Sequence, residues 1–286
     1  MPRAGLHHPQ LRQQRQHGEY HAGPAEGGAD AAVRHGGRLC RRPASRFCCG
    51  SIVETSLDIS RIRAITLDLD DTLWPVWPAI ARAEAALAGW LAAHAPATAA
   101  LFGDAQALRA LRVRMEALRP DLRHDLSALR RESIRMALAQ AGDDPGLAEP
   151  AFDFFFAERQ RVDLFDDALA TLDFLAARYP VVAVSNGNAD VKRIGIGRYF
   201  TASLSATRLG FAKPDARIFH AGAQAAGVAS AAVLHVGDDA LLDAQGALGA
   251  GMQAAWLNTA GSPWPHDGAP PHVTVASLGA LCRLLD

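Results

Sequence analysis

The chain has 286 residues, of which 49% are hydrophobic and 21% are charged, and its formal net charge is −1. This composition is typical of a globular protein with one large or two modest domains. The small net charge argues against nucleic acid and membrane surfaces as partners, and no apolar run is long enough to span a membrane. The N-terminus lacks the apolar segment of a signal peptide, and the four cysteines form neither a disulfide framework nor a zinc site, so we expect a cytoplasmic protein.

Residues 1–57 are rich in Gly, Arg, His and Gln and carry little periodic apolar content. Such a stretch cannot offset its ordering entropy by burial, so we predict a disordered or non-native tail. An organelle transit peptide or a basic nucleic-acid arm is the alternative. The missing amphipathic helical pattern favours the tail.

The first predicted strand covers residues 62–67 and leads directly into residues 68–72, Asp-Leu-Asp-Asp-Thr. Two prolines and two tryptophans follow within residues 74–78, a composition that predicts a stiff hinge or entrance loop. Apolar residues at three-four spacing then predict a helical module. Its four helices are expected at residues 79–94, 104–119, 122–141 and 147–161.

After residue 165 the pattern alternates between helices and short apolar strands. The strands are expected at residues 181–184, 202–205, 233–236, 253–257 and 273–275. Strands buried on both faces and alternating with helices indicate an α/β fold with a doubly wound parallel sheet, a Rossmann-like core. We expect this core to comprise residues 58–75 and 166–286, with residues 76–165 inserted as a helical domain.

Three of these strands stop abruptly at polar residues, namely Asp68, Ser185 and the Gly237-Asp238 pair. Ligands of open parallel sheets bind at the carboxyl ends of the strands, so these residues are expected in one crevice. Carboxylates that face one another need a hard cation between them, and Mg²⁺ fits oxygen ligands. A serine hydroxyl and the ammonium of Lys213, one of only two lysines, suit the oxygens of a phosphoryl group.

Four stretches of the chain, taken in order, resemble the four motifs of the haloacid dehalogenase-like hydrolase superfamily. They are residues 68–72, Ser185-Asn186-Gly187, Lys213-Pro214, and Gly237-Asp238-Asp239 with Asp243. Each motif alone is commonly a turn or a helix start. Here, however, each motif follows an apolar strand or opens a helix, as expected of residues at the carboxyl edge of the sheet. The helical insertion resembles the C1 cap of that superfamily.

Further stretches resemble the bacterial flavin mononucleotide phosphatase branch. They are His124-Asp125, Ser133-Ile134, Ser185-Asn186-Gly187-Asn188, residues 234–239 and residues 251–254. Members of that branch also dephosphorylate the pyrimidine intermediate of riboflavin synthesis and other small phosphate esters.

The resemblance implies a division of labour among the acidic residues. Asp68 is the expected nucleophile, which forms an aspartyl-phosphate, and Asp70 is the expected general acid and base. Mg²⁺ is expected on the Asp68 carboxylate, the Asp70 backbone carbonyl and Asp238.

The same resemblance assigns the remaining polar groups. Ser185, the amide of Asn186 and Lys213 are expected at the phosphoryl oxygens, and Gly187 is expected to contact the substrate. Asp239 and Asp243 are expected to orient Lys213 or the waters of the metal, and Thr72 to fix the Asp68 loop.

Substrate choice is expected to lie in the insertion. His124 and Asp125 are candidate substrate contacts or, equally, capping groups of a helix start. Trp74 is a candidate stacking platform for a flat ring or, equally, a packing residue of the hinge.

Asp70 separates this chain from the superfamily's dehalogenases, which lack an acid at that position. A phosphonatase needs a lysine in the insertion, and residues 74–165 contain none. The expected function is therefore hydrolysis of a small phosphorylated metabolite, with flavin mononucleotide and the phosphorylated riboflavin precursor as candidates. A phosphosugar mutase, another phosphatase of the superfamily and a non-catalytic binding protein stay open, and a monomer or weak homodimer is expected.

Overall fold

Six parallel strands form the centre of the computed structural model, which describes residues 56–286. The strands are β1 (Ala64–Leu67), β2 (Val181–Ser185), β3 (Ala202–Ser205), β4 (Val233–Gly237), β5 (Gln253–Leu257) and β6 (Val273–Val275). Their order in the sheet is β3-β2-β1-β4-β5-β6. The order reverses beside β1, and this is the place where doubly wound sheets bind their ligands.

Helices cover both faces of the sheet. The α-helices are α1 (Val76–His94), α2 (Pro96–Phe102), α3 (Ala105–Leu118), α4 (Leu126–Ala141), α5 (Ala148–Arg159), α6 (Ala168–Ala176), α7 (Val191–Ile194), α8 (Ala206–Leu209), α9 (Ala216–Ala225), α10 (Gly246–Gly249) and α11 (Leu278–Leu285), with a π-helix at Ala240–Gln245. Ile65 and Leu67 belong to a buried cluster with α6 and α11, whereas Val182 and Val184 belong to a second cluster with α9. The predicted doubly wound parallel fold is confirmed.

The register of the central strands fixes the position of the site. Leu67 of β1 lies opposite Ala183 of β2 and Val236 of β4. All three strands run in the same direction, so the residues that follow them emerge at one edge of the sheet. Asp68, Ser185 and Asp238 are consequently brought to the same crevice.

The insertion between β1 and β2 has five helices over residues 76–159 where the apolar spacing predicts four. Its buried apolar residues form a cluster that includes Leu87, Leu91, Phe152 and Phe155. This separate cluster supports the proposed division into a core (58–75 and 166–286) and a helical domain (76–165).

The prediction of a hinge or entrance loop at residues 74–78 is wrong from Val76 onward, because α1 begins there. Pro75 precedes the helix and Pro78 lies in its first turn, where backbone N–H groups have no helical acceptor and proline is tolerated. Asp71 reinforces this start, since its Oδ1 accepts a hydrogen bond from the N–H of Val76 at 2.9 Å.

The predicted tail lies outside the described residues except for its end. The N–H of Ser56 donates to the carbonyl of His272 at 3.0 Å. Over residues 56–286, none of the helices combines the length and the apolar character that crossing a membrane requires.

Candidate active site

Asp68 stands directly after β1 and is paired with a buried lysine. The Nζ of Lys213 lies 2.5 Å from Oδ1 of Asp68 and 2.6 Å from Oδ1 of Asp243. Burial raises the pKa of Asp68 to about 7, an effect that Lys213 opposes and Asp243 reinforces. Although burial alone would lower it, the two carboxylates raise the pKa of Lys213, so the ammonium stays charged.

The side chain of Asn186 holds the backbone of Lys213 in place. Its Oδ1 accepts from the Lys213 N–H at 2.7 Å, and its Nδ2 donates to the Lys213 carbonyl at 3.0 Å. The loop after β2 therefore fixes the position of Lys213, which follows it by 27 residues in the chain. This side chain therefore supports the site by fixing the backbone of Lys213.

Asp243 lies behind Lys213 in a buried polar chain that ends inside the sheet. Its Oδ1 accepts from Nε2 of His235 at 3.1 Å, and Nδ1 of that ring lies 2.9 Å from Oγ1 of Thr66. Burial lowers the pKa of His235, so the ring is neutral and Nδ1 accepts from the threonine hydroxyl. Although burial opposes it, Lys213 and His235 hold the pKa of Asp243 well below its usual range.

Asp238 completes an acidic cluster with Asp68 and Asp243, whose carboxylate oxygens lie within 4.8 Å of one another. Burial and the two other carboxylates raise the pKa of Asp238 to about 9. The hydroxyl of Thr72 donates to its Oδ1 at 3.2 Å, which ties the Asp68 loop to the loop after β4. Asp68 and Asp238 resist ionisation because their carboxyl groups are buried side by side. A hard divalent cation between them would offset the repulsion between the carboxylates, and their oxygens are suitable ligands for it.

Asp70 points toward the helical insertion. Its Oδ1 accepts from Nε1 of Trp74 at 2.9 Å, and both of its oxygens accept from Nη2 of Arg159, at 2.6 and 2.8 Å. Arg159 is the last residue of α5, so the insertion contributes a buried cation to the crevice.

Ser185 and Gly187 form the opposite wall. Oγ of Ser185 accepts from the Gly187 N–H at 2.9 Å, which leaves its hydroxyl hydrogen free to donate elsewhere. A Cβ on Gly187 would lie 2.4 Å from Oδ2 of Asp70, closer than any real contact allows. Glycine is therefore required here for the close approach of Asp70.

The close contact between Gly187 and Asp70 makes Gly187→Ala a test of the role of Asp70. We expect the variant to lose about tenfold to a hundredfold in kcat because Asp70 is displaced, with little loss of stability. The matched control is Gly89→Ala, since a Cβ there would meet nothing within 4 Å. Unchanged kcat in Gly187→Ala would contradict the expected role of Asp70 as general acid and base.

The structure corrects one expected role and adds a second use for another residue. Trp74 is completely buried and its indole N–H is used on Asp70, so its ring does not serve as a stacking platform. Oδ1 of Asp239 accepts from the N–H groups of Leu241 and Leu242, at 2.8 and 2.7 Å. Asp239 thus caps the π-helix, and its expected part in orienting Lys213 or the waters of the metal stays a prediction.

His124 and Asp125 lie at the start of α4. Oδ1 of Asp125 accepts from the Ala128 N–H at 2.9 Å and from Oγ1 of Thr207 at 3.4 Å. Asp125 is therefore a helix cap that also touches the core, and His124, half-buried beside it, stays only a candidate substrate contact.

The four motifs that the sequence predicted thus meet in a single crevice, and their order along the chain is that of a known family. Residues 62–251 match the haloacid dehalogenase-like hydrolases. The chain belongs to this family.

Relatives within the family include phosphatases and a protein named a dehalogenase. The chain is 32% identical to the 5-amino-6-(5-phospho-D-ribitylamino)uracil phosphatase YigB of Escherichia coli K12, over 79% of this chain and 98% of that protein. It is 31% identical to a phosphoserine phosphatase of Thermus thermophilus, over 73% and 94% of the two chains. The crystal structure of a 2-haloacid dehalogenase from Pseudomonas syringae superposes with a TM-score of 0.73 at 39% identity, over 78% and 98%.

Two residues of this hydrolase site were missed by sequence reasoning. Arg159 follows Phe152 and Phe155 at helical spacing, so a cation on an apolar helix face was the available signal. His235 interrupts the apolar strand β4, and a polar ring there needs a buried partner, which is Asp243.

Proposed function

We propose that this phosphatase is a Mg²⁺-dependent phosphomonoesterase that acts through an aspartyl-phosphate on Asp68. The observation that carries the proposal is the pairing of Asp68 with the buried Lys213 beside the second carboxylate of Asp238. A carboxylate held between an ammonium and a cation site is suited to approach an anionic phosphoryl group, because the positive charges offset the repulsion.

The cation would be held by the carboxylates of Asp68 and Asp238 and by the backbone carbonyl of Asp70. When bound, Mg²⁺ would neutralise charge between the nucleophile and the phosphoryl group. Asp243 is excluded from this set because Lys213, His235 and the N–H of Asp239 already use its oxygens.

The chemistry then divides between two carboxyl groups. A carboxylate oxygen of Asp68 attacks phosphorus, the bond to the ester oxygen breaks, and Asp70 gives its proton to the leaving alkoxide. In the second half, Asp70 takes a proton from water, whose oxygen attacks the aspartyl-phosphate and releases inorganic phosphate. Asp68 and the protonated Asp70 are thereby regenerated.

Three groups are available for the phosphoryl oxygens. Lys213 supplies a charged ammonium, and Ser185 has a hydroxyl hydrogen that its own contact with Gly187 does not use. The backbone N–H of Asn186 is the third donor. These donors are fixed before the substrate arrives, so little reorganisation is needed in the transition state.

For the leaving group we propose a polyhydroxylated chain, in particular that of phosphorylated ribitylaminouracil. A pocket of about 370 Å³ is lined by residues of the insertion, of the loop after β2 and of the segment at β3, and Asn188, the residue that follows Gly187, is one of them. Its lining combines apolar side chains with hydroxyl, amide and charged groups, namely Ser127, Phe156, Asn188, Ala189, Asp190, Val191, Lys192, Ser203, Ser205, Thr207 and Arg208. Its hydroxyl, amide and charged groups can hydrogen-bond the hydroxyls of a polyhydroxylated chain and a pyrimidine carbonyl.

A test of this substrate is phosphate release from phosphorylated ribitylaminouracil, flavin mononucleotide, phosphoserine and a nucleoside monophosphate. We expect kcat/KM for the first to exceed the others by at least about tenfold, a ratio set by differential binding in the transition state. A preference for phosphoserine or for the nucleotide would overturn the substrate assignment but leave the phosphatase mechanism standing.

Dehalogenation is the second candidate, because a 39% identical structure carries a dehalogenase name. A leaving halide needs no proton, so Asp70 and its two donors would then have no task. We expect no halide release from 2-chloropropionate under conditions in which p-nitrophenyl phosphate is hydrolysed. The opposite result would replace the proposed reaction.

Cation binding is expected to show in the pH dependence of stability. In the absence of a cation, the pKa values of Asp68 and Asp238 are raised from 3.8 to about 7 and about 9, so the folded state binds more protons than the unfolded state. The free energy of unfolding of the chelated protein should therefore fall as pH rises from about 4 to about 9. Mg²⁺ should raise Tm more at about pH 8 than at about pH 5. An equal rise in Tm at both pH values would contradict the cation site.

A further inference from the structure

Arg159 is a buried cation whose hydrogen bonds are only partly used. Its side chain is 1% exposed, and a single nitrogen, Nη2, contacts both oxygens of Asp70. Within the described residues, its Nε and Nη1 are buried without a hydrogen-bond partner. Burying a guanidinium in this way is costly, because desolvation is repaid by one contact group only.

A buried ion pair of this kind contributes little net stability to the fold. A role in the active site is therefore the better explanation for the pair. The pair joins residues 89 positions apart, one from the end of α5 and one from the loop after β1. It therefore couples the helical insertion to the crevice through a charge-assisted hydrogen bond.

The same contact fixes the orientation of the Asp70 carboxyl group. Trp74 donates to Oδ1 from one side, Arg159 donates to both oxygens, and Oδ2 lies against Gly187. These contacts engage both oxygens of the carboxyl group and thereby fix its orientation.

We propose that Arg159 is a positioning residue, through which the insertion holds Asp70 in the orientation needed for proton transfer. The role rests on the proposed function, since it requires that Asp70 acts as acid and base. It assigns the helical insertion a part in the chemical step in addition to any part in substrate selection.

The test uses Arg159→Met, with Arg161→Met as the matched control, because the side chain of Arg161 is two residues away, 74% exposed and paired with Glu158 on its own turn. Substrates are p-nitrophenyl phosphate, whose leaving group needs no proton, and an alkyl phosphate, whose leaving group does. Because kcat/KM reports steps up to the first phosphoryl transfer, it separates the acid role from the later hydrolysis.

For Arg159→Met we expect kcat/KM to fall about a hundredfold for the alkyl ester and less than about threefold for the nitrophenyl ester. Asp70→Asn should show the same selectivity, and the double variant should lose no more than about threefold beyond Asp70→Asn. Arg161→Met should match the wild type on both esters. If Arg159→Met does not fold, Arg159→Lys should show the same selectivity with a smaller loss.

An equal loss on both esters, or losses that multiply in the double variant, would overturn the positioning role and leave Arg159 as a structural residue. A wild-type chain that hydrolyses neither ester would instead refute the proposed function, and the positioning role with it. The two failures are thus distinguishable by the wild-type rates alone.

Discussion

Asp68→Asn is expected to abolish turnover, with kcat reduced by more than about 10⁴-fold, because an amide cannot form the acyl-phosphate bond. The substitution should not destabilise the protein. An asparagine oxygen still accepts from Lys213, and the crowding that raises the pKa of Asp68 and of Asp238 is relieved. Steady-state hydrolysis of p-nitrophenyl phosphate and thermal unfolding measure the two effects.

The matched control for this change is Asp71→Asn. Asp71 lies in the same loop and also loses a charge, but its Oδ1 accepts from the Val76 N–H, which an asparagine oxygen can still do. We expect at least half of the wild-type kcat in this variant. Substantial turnover in Asp68→Asn would remove Asp68 from the role of nucleophile.

Lys213→Arg is expected to lose about 10² to 10³-fold in kcat/KM, although it keeps the positive charge. Nζ is held at 2.5 Å from Asp68 and 2.6 Å from Asp243, and the side chain is only 3% exposed. A guanidinium is planar and larger than an ammonium, so it cannot sit at the same point between two carboxylates without displacing one of them.

Arg217→Lys serves as the control for a basic exchange, because Arg217 is exposed and pairs with Asp215 at the surface. Its kinetics should equal those of the wild type. Lys213→Met should also lose about 3 to 5 kcal/mol of stability, since two buried carboxylates are left without their cation. Near-normal kcat/KM in Lys213→Arg would show that the site is not as tight as the distances indicate.

The sheet and the core of the site could be predicted because their signals are local. Apolar strands such as β2 and β4 end where the polar residues begin, and one rule about parallel sheets brings Asp68, Ser185 and Asp238 together. Lys213 could be predicted as the cation of the site because the chain has only two lysines and the carboxylates need a positive charge.

What could not be predicted depends on contacts between distant segments. The pairing of Arg159 with Asp70 requires α5 to end above the crevice, and no local pattern encodes the path of a helix over a sheet. The burial of Trp74 has the same origin, because helix α1 begins at once behind it. The capping of the π-helix by Asp239 was likewise not predicted, because its motif indicates a site residue and not the helix start that follows it.

The most direct test of the central claim is mass spectrometry of the wild-type enzyme after an acid quench during turnover. We expect a phosphoryl adduct on the peptide that contains Asp68, formed only with Mg²⁺ present and missing from Asp68→Asn. Turnover without any adduct, or an adduct on Ser185, would contradict the aspartyl-phosphate mechanism.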